Sequence, residues 1–99
     1  MTTYMSYYTF FSDNIKIIKD IRADFTAEGT SGNSFDKDYN SFLNKFVSRC
    51  RTFAGETFKG SSKVISNYIS AIGDTKALPQ NQRFDKLIGI TDSYMRTVM

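Results

Sequence analysis

The sequence contains no histidine and no tryptophan, and only one cysteine and one proline. Each shortage removes a kind of chemistry. Without histidine the commonest general base is missing, and neither a Ser-His-Asp nor a Cys-His arrangement can be built. Zinc sites draw mainly on His and Cys, so this inventory all but excludes one within a single chain. The Glu-x-x-His pairs that hold di-iron centres in helical bundles are missing too. Cys50 has no partner for an internal disulfide. The expectation is a protein with no catalytic residues, no cofactor and no metal. Apolar runs are short as well: none approaches the roughly 18 residues of a membrane span. The opening Met1-Thr2-Thr3-Tyr4 lacks the basic and apolar regions of a signal peptide. A start at a mature N-terminus, with a targeting segment already removed, fits equally. The net charge of +3 lacks the clustered excess of a nucleic-acid binder, so none is expected as a partner.

What the chain does have is apolar bulk from nine Phe and six Tyr, at helical spacing. Its 99 residues suffice for one core, so residues 1–99 read as one domain, with 1–6 as a loose tail. Three breaks divide it: the Gly29–Gly32 region within a flexible connection from Thr26 to Ser34, Gly55, and Gly73 to Pro79. Each of the four pieces carries an apolar stripe with intervals of three and four. The first holds Phe11, Ile15, Ile18, Ile21 and Phe25. The second holds Phe35, Tyr39, Phe42, Phe46, Cys50 and Phe53, widened by Leu43 and Val47. The third holds Phe58, Ile65, Tyr68, Ile69 and Ile72, and the fourth Phe84, Leu87, Ile88, Thr91, Tyr94, Met95 and Val98. No segment alternates with period two. The spacing predicts helices near 7–27, 35–54, 57–72 and 80–98. Short connections between long helices favour antiparallel neighbours, giving an all-α, up-down-up-down antiparallel four-helix bundle.

Few residues invite a chemical reading. Asp36 and Asp38 are two apart, so on a helix they diverge and suit an N-terminal dipole better than a catalytic pair. Gly55 to Ser62 has the two glycines of a phosphate loop, but Ser61 stands where the lysine belongs and helix precedes it. A helix–helix turn is the expected structure there. Cys50 lies on the apolar row and reads as a buried small hydrophobe, although flanking Arg49 and Arg51 would favour a thiolate if it were exposed. Lys45, Arg49, Arg51, Lys59 and Lys63 cluster around the second break. They read either as a solvated face or as a docking patch for an acidic partner surface. The aromatic start, with Tyr4, Met5, Tyr7, Tyr8, Phe10 and Phe11, either caps the bundle end or anchors a protein interface.

The order of several spaced residues resembles the photosystem II assembly and repair proteins of the thylakoid lumen, Psb family member twenty-seven. That family opens its first helix with an aromatic, two spacers and Asp, then Leu-Arg eight and nine residues later; Phe10, Asp13, Ile21 and Arg22 share this spacing. Its second helix ends an aromatic run in basic residues, like Phe42, Phe46, Arg49 and Arg51. Thr57, Phe58 and Lys59 are similar to the opening of its third helix. Gly73 to Pro79 is similar to the turn before its fourth. The resemblance spans residues 10–98. The chain departs where the family has Gly-His-Tyr, carrying Ser70-Ala71-Ile72-Gly73, and where the family has an acidic Pro-containing loop. The resemblance implies a chloroplast protein in the thylakoid lumen, delivered by a transit peptide not present here. It implies a protein peripheral to the membrane with no cofactor, bound to lumenal photosystem II subunits and in particular the inner antenna protein. Extrinsic PsbQ-like subunits, also lumenal four-helix bundles, are the related alternative. A small secreted or effector-type interaction module unrelated to photosynthesis is the other reading.

Overall fold

A computed structural model describes residues 3–98, with side chains from Ser6 onward. The chain is all-helical: α1 spans Thr3–Glu28, α2 Gly32–Phe58, α3 Lys63–Gly73 and α4 Gln80–Thr97, with a 3-10 turn at Asp74–Ala77. Among the described residues there is no strand, and no helix is long and apolar enough to cross a membrane. The helices pack as a bundle-like body of 42 × 21 × 19 Å. Helix α1 lies along α4 and, more loosely, against α2; α3 packs on α2 and α4.

The boundaries differ from those expected in three places. Residues 3–6 are helical, not a tail, while residues 1, 2 and 99 lie outside the described ones. The connection expected over Thr26 to Ser34 shrinks to residues 29–31. Gly29, at φ +62°, lets α1 close on itself: its N–H bonds to the Thr26 carbonyl, and that of Thr30 to Phe25. This reversal satisfies the orphan carbonyls of the last turn, and glycine adopts it without a Cβ clash. Gly55 is no break: α2 runs through it to Phe58, because a lone glycine in a helix weakens it by only about 1 kcal/mol. The true end lies at Lys59, a non-glycine in the left-handed region (φ 56°), whose N–H reaches the Ala54 carbonyl. Thr57, Phe58 and Lys59 therefore close α2 and do not open α3. Helix α3 begins behind Ser62, whose Oγ accepts the Ile65 N–H at 3.2 Å, an N-cap that satisfies one exposed donor.

The core follows the stripes, with one substitution. Phe11, Ile18, Tyr39, Leu43, Phe46, Cys50, Ile65, Tyr68, Ile72, Phe84 and Leu87 are buried. In α1 the expected Ile15 is only half-buried, and Asn14 occupies the inward slot at 0 % exposure. Phe42 is half-buried beside fully packed Phe46. Aromatic rings fill the loose seam between α1 and α2. Phe10 stacks on Phe53 with centroids 4.0 Å apart, Tyr7 on Phe58 at 4.7 Å, and Phe25 meets Phe35 edge-on at 5.0 Å.

Candidate functional site

Two buried hydroxyl pairs cross the core. Thr91 donates its only proton to the Leu87 carbonyl, so the Tyr68 hydroxyl must be the donor in its 2.7 Å bond to Thr91 Oγ1. Likewise Thr75 donates to the Ile72 carbonyl, so Tyr39 donates to Thr75. Burial pushes the titration of both tyrosines upward. It also pushes the Cys50 thiol up to about 12, so the flanking Arg49 and Arg51 do not activate it. Cys50 is an inert core residue, as its place on the stripe predicts.

Asn14 links this interior to the surface. Its Oδ1 accepts Arg49 Nε–H at 2.9 Å, which fixes the orientation of the amide. Its Nδ2 is buried and has no hydrogen-bond partner among the described residues. The Arg49 guanidinium also lies 5.2 Å from the centre of the Phe10 ring. A groove of about 630 Å³ opens beside it. Phe10 and Phe53 contribute its apolar surface, Asp13 lies on the α1 side, and Lys45, Arg49 and Glu56 follow one another along α2. At the opposite end of the molecule, Arg83 pairs with Asp36 at 2.8 Å and lies over the Tyr39 ring at 5.2 Å. Gln80 and Arg83, in that order, hold the Asp36 carboxyl below its usual range. Asp36 thus ties the starts of α2 and α4 together.

The cations singled out in the sequence do not form one patch. Lys45 and Arg49 line the α1–α2 groove, whereas Arg51 lines a separate depression between α2 and α3, with Ser62, Ser66 and Ser70. Lys59 caps α2 and Lys63 starts α3, both exposed. Tyr7 turns inward, stacked on Phe58, with its hydroxyl 2.7 Å from Ser62 Oγ; this is the end-capping role. Tyr8 is half-buried. The side chains of Tyr4 and Met5 lie outside the described ones.

Asn14 and Phe53 join the groove without any charge or motif in the sequence that marks them as surface-site residues. The available signal was position: residue 14 falls three and four after Phe11 and Phe10, where the stripe requires an inward residue. Among the described residues no group of three or more His, Cys, Asp or Glu is placed to hold a metal. Compared with protein-family models, with curated proteins and with solved structures, the chain matches none.

Proposed function

We propose that this chain is a non-catalytic extrinsic protein that docks on the lumenal side of photosystem II and supports its assembly, repair or oxygen evolution. In this reading the four helices run up-down-up-down as an antiparallel bundle, and the protein works from the thylakoid lumen without cofactor, nucleic acid or membrane span. Its partners are lumenal photosystem II subunits, the inner antenna protein first among them. The observation that carries the reading is the ordered resemblance over residues 10–98. Three residues that carry it, Phe10, Asp13 and Arg49, come from two helices and line one groove. One element of the resemblance does not help, since Thr57 to Lys59 closes a helix instead of opening one.

A pull-down from a photosynthetic membrane extract tests the proposal. Tagged protein is expected to retain the inner antenna protein and its neighbours at low salt. Retention of no photosystem II subunit would favour an interaction module unrelated to photosynthesis.

A further inference from the structure

We infer that the α1–α2 groove is a carboxylate-reading site. Its occupant is a partner segment that places an acidic side chain on Arg49 and Lys45 and an apolar side chain on Phe10 and Phe53. The inference deepens the docking reading above and rests on it for the existence of a partner.

The groove carries the ingredients in one place. Lys45 and Arg49 are four residues apart on α2 and therefore share a face. Among the described residues neither is ion-paired with a carboxylate, although Arg22, Arg83 and Arg96 all are. Arg49 is also held in advance. Its Nε is committed to fully buried Asn14 and its plane rests near Phe10. The two terminal nitrogens remain available as an end-on fork for a carboxylate, a geometry lysine cannot offer. A side chain already fixed loses less rotamer freedom when it binds. Asn14 is thus a positioning residue for Arg49, which accounts for an amide on an apolar stripe. The groove also holds two carboxylates, Asp13 on the α1 side and Glu56 two helical turns beyond Arg49 on α2, so its cations sit together on α2 and its formal charges balance. The acidic group of the occupant belongs on the unpaired fork of Arg49, and an added basic group is tolerated toward Asp13 or Glu56.

The test uses purified full chain and two synthetic tripeptides, acetyl-Glu-Phe-Leu-amide and its Gln counterpart, followed by amide and arginine Nε–H NMR signals. The Glu peptide is expected to shift the Arg49 Nε–H and the amides of the groove with a Kd of about 1 mM. The Gln peptide should bind roughly tenfold more weakly, because charge-assisted hydrogen bonds are the stronger ones. Arg49→Lys, which keeps the charge and loses the fork, should weaken the Glu peptide similarly and leave the Gln peptide little changed. Should Arg49→Lys lose its fold, Lys45→Gln, which removes the other cation of the groove, should weaken the Glu peptide and leave the Gln peptide little changed. Equal binding of the two peptides would overturn the inference in favour of an apolar occupant. Signals that move with protein concentration alone would overturn it in favour of a second copy. Absence of binding to either peptide would overturn it outright. No photosynthetic material is involved, so failure here and failure of the pull-down are separate results.

Discussion

Replacing Arg49 by Met isolates the link between surface and core. The methionine stem still packs beside Phe10, but the Nε–H donor to Asn14 is gone. Asn14 is fully buried, and its carbonyl loses the Arg49 partner that fixes it. An orphaned buried acceptor costs about 1–3 kcal/mol. The open groove lets water replace part of the bond, which places the expected loss near the lower half, about 1.5 kcal/mol. For a domain of this size that is a fall in Tm of about 6–12 °C. Arg49 is exposed, and an exposed charge alone contributes little, so a purely surface view of it predicts almost no change. The decisive comparison is a cycle with Asn14→Leu, which completes the apolar stripe. Once the amide is gone, Arg49→Met has no buried partner to orphan and should cost less than about 0.5 kcal/mol. Urea unfolding followed by far-ultraviolet circular dichroism measures all four proteins. Equal costs of Arg49→Met in both backgrounds would refute the linkage.

Phe46 and Phe42 should differ although they share a stripe. Phe46→Ala empties a fully packed site and should cost about 3–5 kcal/mol, while half-buried Phe42→Ala should cost about half as much, as denaturant melts will show. Stability should also fall in alkali. Folded-state titrations of Cys50, Tyr39 and Tyr68 are all raised, so their contributions are complete below the unfolded values of 9.0 and 10.0 and are lost as pH rises toward the folded ones. Each group lowers stability by about 1.4 kcal/mol per pH unit in its window. Cys50→Ala should move the onset from about pH 9 to about pH 10, and thermal melts across that range that show no such shift would count against the burial argument.

The parts of the fold legible in the sequence are those where one physical signal acts alone. In α2 the spacing picks out Phe35, Tyr39, Phe46 and Cys50, all of them buried, while Phe42 on the same stripe is half-buried and Leu43 beside it takes the inward place. The boundaries were less readable because glycine serves two purposes. Gly29 takes a left-handed backbone and ends a helix, whereas Gly55 sits on an exposed helical face with open space where a Cβ would go. Nothing local distinguishes them. Lys59 makes the opposite case, an ordinary residue in the conformation that glycine usually fills. The groove was half legible. Lys45 and Arg49 were visible as a pair four apart, but Arg51 looked like their neighbour and faces another depression. Ile15 is the more apolar of two adjacent residues, yet Asn14 takes the inward slot, because its amide finds Arg49 there.

Rebinding to stripped photosystem II membranes is the assay for the proposed docking. Membranes freed of extrinsic proteins are mixed with wild type or with Lys45→Glu, a change at an exposed residue of the groove, and washed at rising salt. Wild type is expected to rebind at low salt and to be released as the screening length falls to about 3 Å near 1 M. Lys45→Glu should stay folded and rebind weakly, since reversing an interface charge lowers the association rate. Failure of wild type to rebind at any salt concentration would rule out docking on photosystem II.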